Sequence, residues 1–244
     1  MITTFEELSL NAWPSLQTKL YDGWILRFAN GYTKRSNSIN PLYHSILPLS
    51  KKIETCEQIY QQHNLPVIFK LTADSNPPDI DRELESRNYI RLDETSVRVL
   101  DMDSYHYRKP NGVLLETEIT DEWIKDFFNC SNLENELYQK TAKAILHNIL
   151  GKVIVVRKKV DGKTVGCGYG AIELGYIGIF DIIVDQKYRG EGYGQDIMDG
   201  ILSAANDDKI EHAYLSVVVG NSPAENLYRK MGFKEIYRYW YRKK

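Results

Sequence analysis

Apolar residues in this chain recur at two spacings, every second position over short stretches and every third or fourth over longer ones, and the two alternate along the sequence. Residues 5–12 read as a short amphipathic segment stopped by Pro14. Residues 24–28 and 36–40 read as strands, with the turn signal Asn30-Gly31 between them. Ile53, Cys56, Ile59 and Tyr60 give residues 51–63 a helical face, and Pro66 separates it from a strand at 67–71. Pro77-Pro78 opens a helix over 79–87, and residues 89–92 and 95–102 read as two further strands. The polar stretch 103–112, ending Lys109-Pro110-Asn111-Gly112, is the strongest linker signal. It divides the chain into an N-terminal α/β domain, residues 1–105, and a second domain, residues 113–244.

The second domain is predicted to begin with a strand at 113–119, a helix from Asp121 and a longer helix near 133–150. Strands at 153–159 and 165–173 are joined by the hairpin turn Asp161-Gly162, and a third follows at 176–184. Helices at 193–206 and 223–231 then alternate with strands at 212–219 and 233–241. This order predicts an α/β fold on a mixed sheet.

With 244 residues, 43% apolar and 26% charged, the chain can bury one large core or two modest ones. The formal net charge of −2 provides no field to attract a polyanion, which argues against nucleic acid as a partner. No apolar run reaches the ~18 residues of a membrane span, and nothing in Met1-Ile-Thr-Thr-Phe-Glu-Glu marks secretion, so a cytoplasmic location is expected. Cys56, Cys130 and Cys167 show no paired spacing and read as reduced thiols. The histidines at 44, 63, 106, 147 and 212 lack metal-ligand spacing, so no metal is expected. The basic and aromatic residues after Arg229 suggest nucleic-acid contact at first sight, but strand alternation explains them more simply. Residues 35–40, polar for a strand, have two readings, an edge lining an acceptor cleft or a plain hairpin edge.

The chemistry concentrates in Arg189-Gly190-Glu191-Gly192-Tyr193-Gly194, placed between a buried-looking strand and a helix. Glycines let the backbone approach an anion closely, and the first N–H groups of the helix point at it with the favourable end of the dipole. A pyrophosphate suits such a loop, with Arg189 adding charge, and so does a plain glycine-rich turn with no ligand. The loop lacks the Gly-Lys-Ser/Thr of a P-loop, and its G-x-G-x-G spacing departs from the G-x-G-x-x-G of dinucleotide folds.

Two motifs together carry a resemblance to the GNAT superfamily of acyl-CoA-dependent N-acetyltransferases. The pyrophosphate loop [Gln/Arg]-x-x-Gly-x-[Gly/Ala] is met by Arg189, Gly192 and Gly194. The second, Asn-x-x-Ala-x-x-Leu-Tyr-x-x-x-Gly-Phe, is met by Asn221, Ala224, Leu227, Tyr228, Gly232 and Phe233. The resemblance covers residues 113–244 and implies a GNAT fold there. Asn11-Ala-Trp-Pro, Asp22-Gly-Trp-Ile-Leu-Arg, Arg35-Ser-Asn-Ser and Tyr237-Arg-Tyr-Trp-Tyr-Arg resemble a bacterial subgroup whose extra N-terminal region is a degenerate GNAT-like half without the phosphate loop.

The resemblance implies acetyl-CoA as cosubstrate and direct attack of a primary amine on the thioester. The CoA pyrophosphate is assigned to the backbone of Arg189, Gly190, Glu191, Gly192, Tyr193 and Gly194, and the pantetheine arm to Ile182, Ile183 and Val184. One N–H of that strand would polarise the thioester carbonyl, an effect worth ~3–4 kcal/mol. Asn221, with Ala224, is assigned to the cofactor where two strands splay; Asn221 also reads as a helix N-cap. Tyr228 is placed beside the sulfur as a hydrogen-bond donor, with full proton transfer only if the site lowers its pKa. The glutamate that many members use as base falls at Gly178, which leaves Asp181 as the nearest acidic candidate and Glu173 as a weaker one. Asp181 reads equally as a strand-edge carboxylate paired with a neighbouring Arg or Lys. The expected acceptor is a small-molecule or peptide amine, and the expected state a monomer or homodimer with no membrane partner. The alternative is a non-catalytic acyl-CoA-binding regulatory module, favoured by the missing glutamate and opposed by the intact Asn221 and Tyr228.

Overall fold

The computed structural model describes residues 1–207 and 210–244. In chain order the elements are α1 (Ile2–Ala12), β1 (Gln17–Tyr21), β2 (Trp24–Phe28), β3 (Ile39–Asn40), α2 (Leu49–Gln62), β4 (Ile68–Thr72), α3 (Ile80–Ser86) and β5 (Ile90–Asp101). They continue with β6 (Val113–Glu116), α4 (Asp121–Ser131), α5 (Glu136–His147), β7 (Lys152–Val160), β8 (Lys163–Glu173), β9 (Tyr176–Val184), α6 (Tyr193–Asp207), β10 (His212–Val218), α7 (Ser222–Lys230) and β11 (Lys234–Lys243). The chain forms two compact units, one of Met1–Ser96, Ala144–Ile149 and Tyr237–Lys244, the other of Val97–Lys143 and Leu150–Ile236.

In the first unit the strand order is β1-β2-β3-β4-β11, antiparallel except for the parallel β3–β4 pair. Its core joins Trp24, Leu26, Ile39, Phe69 and Leu71 from the sheet to Ile53, Cys56 and Tyr60 from α2. β1 is an exposed edge strand without the apolar alternation that would mark it in sequence. It exists because Asp22 and Gly23, both at positive φ (44° and 81°), fold it back on β2.

Two residues of the N-terminal motifs, Arg27 and Asn37, tie loops and helix ends together. The buried Arg27 guanidinium donates to the carbonyls of Arg35 (2.6 Å), Leu10 (3.1 Å) and Trp13, closing the C-terminal end of α1. Asn37 Oδ1 accepts from the N–H groups of Ala29 and Gly31 at 2.8 and 2.9 Å, while its Nδ2 donates to the carbonyls of Tyr32 and Thr33, both at 2.8 Å. Ser36 and Asn37 are therefore buried in a loop, and the predicted strand at 36–40 shrinks to Ile39–Asn40. Three of the basic C-terminal residues are paired within the unit: Arg242 with Asp81 (2.8 Å) and Glu85 (3.2 Å), Arg238 with Glu94 (3.1 Å) and Lys244 with Glu57 (2.7 Å).

The second unit has the order β5-β10-β9-β8-β7-β6, again mixed, with β10–β9 parallel and the β9-β8-β7-β6 ladders antiparallel. Asp161 and Gly162 make the expected β7–β8 hairpin turn, with φ of 49° and 78°. β5 is one strand where the sequence suggests two. Asp93, the polar break, takes a left-handed φ of 51° inside a continuous strand, and its carbonyl accepts from Thr95 Oγ1 at 2.8 Å. No described helix is long and apolar enough to cross a membrane.

Candidate functional site

The position of α6 is set by a stripe of glycines that the sequence reading did not single out. Gly166, Gly168 and Gly170 share one face of β8, the period-two signal of a strand face. A Cβ at Gly168 would lie 2.4 Å from Ile182 Cδ1 and 3.0 Å from Ile197 Cγ2, and one at Gly170 2.9 Å from Ile201 Cγ2. Without side chains there, Ile197 and Ile201 of α6 settle directly on the strand. The opposite face carries Cys167 and Tyr169, with Tyr169 stacked on Phe180 and edge-on to Trp123 of α4.

β9 changes character halfway along. Its parallel ladder with β10 runs from Tyr176↔His212 to Ile179↔Leu215, and residues 180–184 lie beyond it. At the same point the β8 register shifts, since Cys167 faces Ile183 while Tyr169 faces Phe180, so β9 carries one extra residue. Asp181 adopts φ 50° at this bulge, a geometry that re-aims a side chain. After the bulge, Ile183 and Val184 keep β8 on one edge, and the other edge of residues 182–184 opens where β10 departs. An extended ligand bearing amide groups can add to such an edge as a strand does.

The loop follows directly. Asp185 caps the short 3₁₀ turn Gln186–Tyr188 by accepting from Lys187 N at 3.0 Å. Arg189 is extended, and its Nε donates to the Val184 carbonyl at 3.1 Å. Gly190 and Gly192 have φ of 89° and 79°, and a Cβ on either would meet no atom within 4 Å, so the loop borders open space. Gly192 O accepts from Gln195 N (3.0 Å) and Asp196 N (3.3 Å), starting α6. The N–H groups of Tyr193 and Gly194 thus occupy the first turn, where a helix offers no internal acceptor and its dipole favours an anion. A cradle of N–H groups beside an open strand edge fits a ligand joining a pyrophosphate to an amide-bearing arm.

Gly194 also brings α7 alongside, since a Cβ there would lie 3.6 Å from Leu227 Cδ2. Asn221 caps α7, its Oδ1 accepting from Ala224 N at 3.4 Å, which matches the N-cap reading of this residue. Tyr228 is buried with its ring edge-on to Phe233, and burial pushes its phenol up to about 12. Gly178 has no room for a side chain: a Cβ would lie 2.4 Å from Cζ and Oη of Tyr214, its partner across the ladder, and 2.6 Å from Phe180 Cε2. The position that the resemblance gives to a glutamate is filled by the rings of Tyr214 and Phe180. The Cys130 and Cys167 thiols, remote in sequence, are hydrogen-bonded to each other between α4 and β8. That bond holds Cys130 below the ordinary thiol range and Cys167 well above it. Among the described residues no group of three or more His, Cys, Asp or Glu side chains is placed to hold a metal.

Comparison with known proteins gives these features a context. The family described as "Probable histone acetyltransferase Rv0428c C-terminal" matches residues 1–242. The uncharacterized N-acetyltransferase YobR of Bacillus subtilis is 26% identical over 251 aligned positions, covering 99% of this chain and 98% of its own. An N-alpha-acetyltransferase of Sulfurisphaera tokodaii is 35% identical over 91 residues, which is 32% of this chain and 54% of its own. Among solved structures, a GCN5-related N-acetyltransferase from Kribbella flavida superposes with a TM-score of 0.72 at 13% identity, over 99% of this chain and 94% of that one. Another from Sphaerobacter thermophilus gives 0.63 at 16% identity, over 98% and 84%.

Proposed function

Because this chain belongs to that acetyltransferase family, of GNAT type, and is an acyltransferase, we propose that it transfers an acetyl group from acetyl-CoA directly to a primary amine of a small-molecule or peptide acceptor. The observation that carries the donor assignment is the conjunction of the open β9 edge with the Gly190–Gly192 loop at the start of α6.

When bound, acetyl-CoA supplies an activated acetyl thioester; the chain holds it, polarises it and manages the protons. The backbone N–H groups from Arg189 to Gly194 take the pyrophosphate, and Ile182, Ile183 and Val184 align the pantetheine arm as an added strand. Asn221 and Ala224, at the head of α7, are assigned to the cofactor with them. An N–H from the 182–184 stretch would polarise the thioester carbonyl, and a fixed donor there is worth ~3–4 kcal/mol. Tyr228 donates a hydrogen bond to the sulfur and keeps its proton. With its phenol near 12, full transfer to a thiolate of pKa ~8.5 would be uphill by roughly 5 kcal/mol.

The amine attacks as its neutral form: the C–N bond forms as the C–S bond breaks, the proton lost by the nitrogen passes to Asp181, and the coenzyme leaves as a thiolate hydrogen-bonded by Tyr228. The bulge supports this assignment, because it places Asp181 at the point where the ladder opens, in a geometry that re-aims a strand side chain. Catalysis is assigned to residues 113–244, and residues 1–105, which lack a counterpart of the 189–194 loop, serve as a non-catalytic domain.

Calorimetric titration of acetyl-CoA and, separately, NAD, followed by thiol release with a panel of amines, tests the proposal. Micromolar acetyl-CoA binding, silence with NAD and amine-dependent thiol release are expected. Failure to bind acetyl-CoA would reduce the loop to a turn.

A further inference from the structure

β7 carries a lysine where its pattern calls for an apolar residue. Ile154 and Val156 pack in the core with Ile197 and Ile201 of α6, and Lys158 follows at the same two-residue spacing, only 3% exposed. A lysine so buried needs partners. Lys158 Nζ donates to the Asn111 carbonyl at 2.5 Å, lies 2.9 Å from Asp196 Oδ2 and sits 4.7 Å from the centre of the Tyr193 ring. It thus touches the segment before β6, the first residue of α6 and a carboxylate in that helix's first turn, all within the second unit.

Asp196 is the reason this contact matters. Its N–H donates to the Gly192 carbonyl at 3.3 Å, which places it in the turn that follows the glycines of the loop. A carboxylate there occupies the end of the helix dipole that would otherwise favour a ligand anion, and it repels one. Its charge is met from two sides. Lys158 takes Oδ2, and Arg108 Nη2 takes Oδ1 at 3.0 Å. Arg108 is itself held by Asp199, a fully buried residue of α6 that accepts from Arg108 Nε at 3.0 Å and from the Tyr105 hydroxyl. Two cations against two carboxylates leave the cluster with no net charge, and without Lys158 it would be negative.

Resting on the acetyl-CoA reading, we infer that Lys158 is a positioning residue for the donor: by neutralising Asp196 in the turn after the phosphate loop, it keeps the head of α6 able to accept the pyrophosphate. Affinity for the donor then follows the net charge of the cluster of Lys158, Arg108, Asp196 and Asp199, although none of the four belongs to the loop motif.

Calorimetric titration of acetyl-CoA into the full-length parent, Asp196→Asn, Lys158→Met and the double variant tests this, with thermal melts on the same samples. The cluster is positive in Asp196→Asn, negative in Lys158→Met, and neutral in the parent and the double variant. Asp196→Asn should therefore bind about threefold to tenfold more tightly than the parent, Lys158→Met more weakly by a similar factor, and the double variant within about threefold of the parent. The spread should narrow from about 0.01 M to about 1 M salt, as the screening length falls from about 30 Å to about 3 Å. A purely structural ion pair would weaken binding when broken from either side. An Asp196→Asn variant that binds no better than the parent, or a double variant no better than Lys158→Met, would thus overturn the inference while leaving the donor reading intact. Asp196→Asn is isosteric, so it decides the sign even if Lys158→Met does not fold. A parent that does not bind acetyl-CoA would overturn the donor reading, and this inference with it.

Discussion

Asp181 and Tyr228 divide the proton chemistry, and their environments allow the division to be tested separately. Asp181 occupies a left-handed backbone position, φ 50°, which Asn tolerates and Ala does not. Asp181→Asn therefore removes the proton acceptor without disturbing the bulge. Turnover should fall by about 10²–10⁴ with acetyl-CoA affinity and melting temperature unchanged, and the deficit should narrow as pH rises toward the acceptor amine's own pKa of ~10. A uniform loss at every pH, or full activity, would return Asp181 to a structural role. Tyr228→Phe deletes only a hydroxyl from a buried ring, so it should lower kcat by about tenfold to a hundredfold with little change in Kd for acetyl-CoA. Because burial raises this phenol to about 12, the parent should show no alkaline loss of activity attributable to Tyr228 below that pH. An alkaline limb below that pH that disappears in Tyr228→Phe would contradict the raised phenol while leaving the hydrogen bond to the sulfur in place.

Helix α6 works only if it is placed correctly, and two sets of glycines place it for different reasons. On β8 the requirement is space. Gly168→Val pushes a branched side chain into Ile182 and Ile197, and is expected to cost about 1–3 kcal/mol and to weaken acetyl-CoA binding by displacing the head of α6. Thermal melts and calorimetry on one sample would measure both effects, and unchanged affinity would mean that the strand–helix distance does not govern the loop. At Gly192 the requirement is conformation and charge. Gly192→Asp should abolish binding by placing a carboxylate against the pyrophosphate, whereas Gly192→Ala, which shares the strain at φ 79° but not the charge, should bind measurably better. Equal binding by both variants would remove the electrostatic argument. The loop, the helix after it and the N-cap Asn221 were legible in sequence because each is written in adjacent residues with local physical causes. The crowding at Gly178 was not, because its cause is Tyr214, a residue from another strand. The Cys130–Cys167 contact was hidden for the same reason, since nothing in the spacing of 37 positions announces that α4 will lay one thiol on the other.

The course of the chain through its two units was the least legible feature, because the polar stretch at 103–112 marks a linker in composition but not the end of a folded body. The first unit includes Tyr237–Lys244, whose strand β11 pairs with β4 from Thr72↔Tyr239 to Ile68↔Lys243. Its side chains neutralise charges the unit would otherwise bury or leave single. Tyr237 donates to Glu6 at 2.8 Å, beside the buried Lys70–Glu6 pair at 2.6 Å, and Arg242 holds Asp81 through two oxygens. Removing one partner from a buried ionic network typically costs ~3–5 kcal/mol, comparable to the ~5–15 kcal/mol that stabilises a whole domain. A fragment of residues 1–105 is therefore expected to lack cooperative unfolding, and one that appends residues 234–244 through a flexible linker to regain it. The recovered transition should depend on pH in a defined direction. Arg242 holds the Asp81 carboxyl below its usual range, so this contribution is present above about pH 4 and is lost as the pH falls through the lowered value. Circular dichroism melts of both fragments from neutral pH downward would check this. A 1–105 fragment that melts as sharply as the appended one would mean that the last strand completes the sheet without being needed to hold it.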